Sequence, residues 1–253
     1  MIILLSPAKA IDTTRTLNTN DFSSPQFLSE AETLIKKLKK FSSKKIGKMM
    51  HLSKDLSDLN YQRYQDWKNE IVLEGNACYV SAAFNGEVYR GFDTPSLTEK
   101  ELKIAQDKVR ILSGLYGILK PLDLIYPYRL EMGTKWAVTP SKTNLYKFWG
   151  SKLADAINKE NNVGIVVNLA STEYFKAIDK KVLKGRVITP TFKEFKNGEY
   201  KVVMVYAKKA RGFMARFIVE NNIENPEELK LFNTEGYHYD TNLSEGDNWV
   251  FTR

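Results

Sequence analysis

The chain has 253 residues, 43% of them hydrophobic and 12% aromatic, so a folded globular protein with a large buried core is expected. No run approaches the ~20 apolar residues of a membrane span, and the apolar start at residues 1–5 stops at Ser6-Pro7-Ala8-Lys9, which argues against a membrane anchor or a signal peptide. Net charge is +8 and uneven: residues 220–253 hold eight acids against Lys230 and Arg253, and setting these aside leaves 36 cations and 22 acids, or +14, on residues 1–219, a balance suited to a polyanion such as nucleic acid or a nucleotide.

Residues 2–5 form a nearly continuous apolar run and read as a buried strand. The polar residues 13–24 read as a loop, and Ser24-Pro25 starts a helix that ends near residue 41. Residues 33–54 contain eight lysines and no acid, broken at Ser42-Ser43 and again near His51-Leu52-Ser53. This pattern predicts a helix, a turn, a short helix, a second turn, and a helix from residue 53 to about 67. Two short helices on a tight turn can offer backbone N–H groups to a phosphate, which makes Lys44, Lys45, Lys48 and Lys54 candidate DNA contacts. Residues 24–70 are thus expected to form a helical DNA-binding subregion resembling a helix-hairpin-helix, within one domain spanning residues 1–253. The turn glycine usual in such hairpins is absent, since Gly47 comes three residues early. The competing reading is a solvated lysine face.

Cys78 is the one cysteine, so no internal disulfide forms. An unpaired thiol points to a reducing compartment, the cytoplasm, and with no cation beside it in sequence Cys78 reads as a packed thiol. His51 and His238 belong to no zinc-binding pattern, and neither metal nor cofactor is expected. Thr98 and Glu101 form a capping box ahead of a helix over residues 102–110, and a strand is expected before Ser113. Residues 144–159 read as helix and 164–169 as a buried strand. Asn197-Gly198, the favoured two-residue hairpin turn, joins residues 187–196 to 199–207, of which 202–207 read as a buried strand. A helix over 209–221 follows, with Phe213, Met214, Phe217 and Ile218 on one apolar arc and Lys209 and Arg216 on another face. The fold class is therefore mixed α/β: a central buried, partly antiparallel sheet flanked by helices.

Three segments have the glycine and polar density of a site. Ser113-Gly114-Leu115-Tyr116-Gly117 is followed by Pro121-Leu122-Asp123 and by Tyr128-Arg129-Leu130-Glu131-Met132-Gly133, where Arg129 is a fork donor beside a candidate acid or base. The spacing is that of neither a Walker loop nor a dinucleotide fingerprint. Asn168 to Glu173 follows a strand and opens a helix, a common anion-binding place, with Ser171 the expected cap and Asn168 and Glu173 without an evident structural role. In residues 201–217, Lys201, Lys208, Lys209, Arg211 and Arg216 occur with no acid, at an expected helix N-terminus where the macrodipole opposes cations, and a bound anion explains that placement. Lys9, Arg110, Arg129, Lys208, Lys209 and Arg211 are expected to converge with these strand ends on one basic cleft, compensated by an anion or by Glu131 and Glu173.

Ser6-Pro7-Ala8-Lys9, the SGLYG at 113–117, PYRLEMG at 127–133, Phe148-Trp149-Gly150, NLAS at 168–171, YAKKARG at 206–212 and the run 232–237 occur in an order that resembles the YaaA peroxide-stress family. The family's usual threonine after SPAK is Ala10 here, a position given no role. The resemblance implies a cytoplasmic protein made under peroxide stress that limits damage from unincorporated iron. It also implies an unusual α/β fold, a positively charged cleft, and a helix-hairpin-helix able to bind duplex and distorted DNA. SGLYG, PLD and PYR are in addition similar to segments of proteins that process modified guanine bases. That similarity implies an alternative, a nucleotide- or nucleobase-processing enzyme in which Glu131 and Glu173 are the acid/base candidates and Lys9, Arg129 and Arg211 stabilise charge.

Overall fold

The computed structural model describes residues 1–70 and 77–253. The first apolar run is strand β1 (Ile2–Leu5), and a short β2 (Ala10–Ile11) follows it. Three helices come next, α1 (Leu28–Leu38), α2 (Ser43–Met50) and α3 (Lys54–Asp66). Short elements β3 (Cys78–Tyr79), α4 (Val80–Ala83), β4 (Phe84–Asn85) and α5 (Glu87–Phe92) lead to α6 (Glu99–Lys108). Then come β5 (Val109–Ser113), β6 (Gly117–Leu119), β7 (Leu124–Ile125), α7 (Leu145–Trp149), α8 (Lys152–Glu160), β8 (Ile165–Asn168) and α9 (Thr172–Phe175). The remaining elements are β9 (Arg186–Lys196), β10 (Glu199–Lys201), α10 (Met204–Glu220), β11 (His238–Glu245) and β12 (Asn248–Thr252).

Among the described residues a mixed sheet of eight strands runs β11-β12-β9-β8-β1-β5-β6, with β10 paired to β9. β1 is parallel to both β5 and β8, and Leu4 lies between Arg110 and Asn168. Every residue of β1 is buried, as a parallel strand covered on both faces requires. This register sets the C-terminal ends of β1, β5 and β8 side by side, where the following loops meet. Among the described residues no helix is long and apolar enough to cross a membrane.

Local signals explain most boundaries. The capping box closes as expected, with the Thr98 N–H donating to Glu101 Oε2 at 2.7 Å. The hairpin turn forms with φ of 54° at Asn197 and 82° at Gly198. Ser42 caps α2 and Ser53 caps α3, each accepting a backbone N–H at 3.3 Å. Between them His51 takes the left-handed conformation usually left to glycine, at φ 54°. Gly47 serves packing instead: a Cβ there would stand 2.3 Å from Ser57 Oγ, so its absence lets α2 approach α3. The three helices are tied to the loops after β5 and β7 by Trp67, whose Nε1 donates to the Tyr116 hydroxyl at 2.8 Å, and by Tyr64, whose hydroxyl donates to the Arg129 carbonyl.

Three expectations are corrected. Residues 202–207 are not a strand: β10 stops at Lys201, α10 begins at Met204, and Val202, Met204, Val205 and Tyr206 are exposed. The β-branched valines favour a strand locally, but residues 204–206 form the exposed first turn of α10, a helix that meets α5 at Gly212. The helix expected over 102–110 ends at Lys108, and Arg110 lies inside β5. The helix expected over 144–159 divides at Gly150, where φ is 52°.

Candidate functional site

Five segments remote in sequence are bound together where β1, β5 and β8 end. The Ser171 N–H donates to Ser6 Oγ at 2.8 Å, and the Ser6 hydroxyl donates to Ser171 Oγ at 3.2 Å. Ser171 sits at the start of α9 but its side chain caps nothing; it is the link to the β1 loop. From α5, the Tyr89 hydroxyl donates to the Ser6 carbonyl at 2.9 Å. Gly114, just past β5, lies against the Leu130 carbonyl, from which a Cβ would stand 2.3 Å away, so a glycine is required for that approach. The segment then offers Arg129 and Glu131, whose Oε1 accepts from Arg129 Nε at 2.9 Å and Nη2 at 2.6 Å. Lys9 Nζ closes the group from the β1 side, 2.8 Å from Glu131 Oε2. The Gly133 N–H donates to Glu173 Oε1 at 2.8 Å, joining the same segment to α9.

Electrostatics follow from this geometry. Burial alone would raise the Glu131 pKa, but the hydrogen bonds and charges of Lys9 and Arg129 outweigh it and hold the carboxyl below its ordinary range. Tyr128 and Tyr174 form aromatic walls beside the ion pairs, and burial pushes both phenols well up, so both stay neutral. Tyr128 shares a 2.6 Å hydrogen bond with Ser113 Oγ at the end of β5. With Glu131 seated between Lys9 and Arg129, the space these residues enclose holds about one water molecule.

Asn168 is buried and its Oδ1 accepts the Ala170 N–H at 3.1 Å, which shapes the turn after β8; Asn168 and Glu173 thus both have the structural role that the sequence left open. Arg110 is outside the cleft, at the start of β5: its Nε donates to Glu160 at 2.6 Å and its Nη1 to the Gln106 and Val109 carbonyls, and Lys120 shares Glu160. Its neighbour in sequence is no guide, because the partner comes from the end of α8.

The 206–212 segment lies within α10 and not at a strand end. Lys208 and Lys209 sit in the second turn, beyond the reach of the terminal dipole, so the dipole argument for an anion there lapses. Lys209 lies over the Phe213 ring at 5.1 Å and faces a separate cavity with Tyr206, Tyr237 and Arg253. Arg216 holds the end of α5, donating to the Phe92 carbonyl at 3.2 Å and the Asp93 carbonyl at 3.1 Å while pairing with Glu220 at 2.7 Å. Arg211 is partly buried, burial lowers its pKa, and among the described residues it has no ion-pair partner. Lys44, Lys45, Lys48 and Lys54 are all exposed on α2 and the start of α3. Sequence reasoning missed Tyr89 and Tyr174, because nothing in their local patterns announces a hydroxyl or a ring directed at a loop far along the chain.

Comparison with known proteins adds a family. The model of the family described as Peroxide stress protein YaaA matches residues 1–243. The chain is 48% identical over 256 residues to a UPF0246 protein of Dechloromonas aromatica, covering 100% of this chain and 99% of the relative. It is 47% identical over 258 residues to a UPF0246 protein of Burkholderia orbicola, with 100% and 98% covered. A UPF0246 protein of Ralstonia pickettii is 46% identical over 256 residues, with 100% and 99% covered.

Proposed function

The chain belongs to the peroxide stress protein YaaA family, and from that footing we propose that it is a cytoplasmic DNA-binding protein of the peroxide response, holding duplex or distorted DNA with weak sequence preference and so limiting iron-mediated damage. The observation that carries the DNA reading is the surface of α2 and the start of α3. Lys44, Lys45, Lys48 and Lys54 are exposed there. Among the described residues only Lys54 of the four pairs with an acid, Asp58 at 3.4 Å, and Lys45 instead lies over the Phe41 ring at 3.5 Å. Unneutralised cations on two short, capped helices suit backbone phosphates in the manner of a helix-hairpin-helix. The basic strand-end cleft around Lys9 and Arg129 is the second place where DNA or a free phosphate anion would be held.

The stress setting and the link to iron come from the family and the resemblance, while the phosphate chemistry comes from the lysines. The enzyme alternative gains little from Glu131, whose charge two cations stabilise against proton uptake. The test is fluorescence anisotropy with labelled duplexes of unrelated sequence across a salt series. Affinities that agree between sequences and fall steeply with salt support the proposal, and an affinity indifferent to salt removes its electrostatic basis.

A further inference from the structure

We infer that Glu131 is an internal stand-in for a ligand phosphate, which displaces it from Lys9 and Arg129. The inference rests on the DNA-binding reading only for the source of that phosphate. A phosphate oxygen is an anionic acceptor for a guanidinium just as a carboxylate oxygen is, and Glu131 already fills the fork of Arg129 with one oxygen, which accepts from both Nε and Nη2. Its other oxygen takes Lys9. The Lys9 side chain is 66% exposed and can be reached from solvent, whereas Arg129 is 17% exposed and forms the floor.

The pocket is therefore complete but filled by its own side chain. Burial opposes the Glu131 charge, and only the two cations keep it seated. Arg129 and Glu131 are two residues apart on one loop, so Glu131 can leave by turning its own torsions without moving the main chain, which Tyr64 and Gly133 hold in place. Glu173 is not a substitute seat, since its Oε1 already accepts the Gly133 N–H. Once Glu131 swings out, Lys9 and Arg129 face a vacancy walled by Tyr128 and Tyr174, whose neutral rings suit the sugar or base attached to a phosphate.

The decisive variant is Glu131→Gln, with inorganic pyrophosphate as the calorimetric probe and a labelled duplex as the second ligand. A stand-in that is removed ceases to compete, so E131Q should bind pyrophosphate on the order of tenfold more tightly than the wild type. Equal or weaker binding overturns the inference, because a carboxylate that only orients Arg129, or that accepts a ligand N–H, gives no gain when neutralised. If E131Q does not fold, Lys9→Gln at the exposed partner decides: weaker pyrophosphate binding supports the inference, and unchanged binding overturns it. A gain confined to pyrophosphate assigns the site to free nucleotide phosphates, while a gain shared by the duplex assigns it to the DNA backbone. Loss of duplex binding by the wild type would sink the DNA reading and leave the pyrophosphate comparison standing by itself.

Discussion

Gly91 of α5 and Gly212 of α10 bring two helix backbones into direct contact: a Cβ on Gly212 would lie 1.9 Å from the Val88 carbonyl oxygen, and one on Gly91 2.3 Å from that of Lys209. The glycine that ends YAKKARG thus serves helix packing and not ligand approach. Because Tyr89 of α5 also holds the Ser6 carbonyl, this crossing supports the loop that carries Lys9. Gly212→Ala forces the helices apart, with an expected cost of about 3 kcal/mol and a Tm lowered by roughly 6 to 12 °C in calorimetry. A Tm within a degree or so of the wild type would show that the crossing yields easily.

Arg216 is assigned to structure, not to DNA, because its guanidinium donates to the carbonyls that end α5 and to Ser96 Oγ at 2.8 Å. Arg216→Ala should cost about 2 kcal/mol in a denaturant titration, the scale of hydrogen bonds from a charged donor. Duplex affinity at low temperature should stay within about twofold, well under the 1.4 kcal/mol that a tenfold loss represents. A large loss of affinity with stability retained would return Arg216 to the DNA surface.

Cys78 is buried, and burial pushes its thiol up to about 12 from an ordinary 9.0, despite the nearby charge of Arg63. Very little thiolate exists at pH 8, so a thiol-specific disulfide reagent should label the native protein far more slowly than the denatured one. Between pH 9.0 and about 12 the folded state keeps a proton that the unfolded state releases, so this group lowers stability as pH rises through that window. Rapid labelling of the native protein at pH 8 would contradict the assignment.

What the sequence made legible follows from how local each signal is. The strand Ile2–Leu5, the Asn197-Gly198 turn, the Thr98 capping box and the Ser42 and Ser53 caps depend on neighbouring residues, and each stands where local chemistry puts it. The convergence of Ser6, Lys9, Gly114, Arg129, Glu131 and Glu173 was also within reach, since parallel strands β1, β5 and β8 end on one edge and the loops after them must meet. Arg110 was misplaced because its partner, Glu160, is set by tertiary packing. The valines at 202, 203 and 205 suggested a strand because β-branching outweighs everything visible in a short window. Residues 204–206 instead form the exposed first turn of α10, and the contact that packs this helix on α5, Gly91 with Gly212, joins residues over a hundred apart in the chain.

If the exposed lysines of α2 hold DNA phosphates, the salt dependence of duplex affinity must change in the Lys44→Ala, Lys45→Ala, Lys48→Ala triple variant. Each lost phosphate contact should make the slope of log K against log salt shallower by ~0.9, and three lost contacts by up to ~2.7, with affinity weakened alike for every duplex sequence. A slope and affinity equal to those of the wild type would mean that these lysines touch no phosphate and form a solvated helix face.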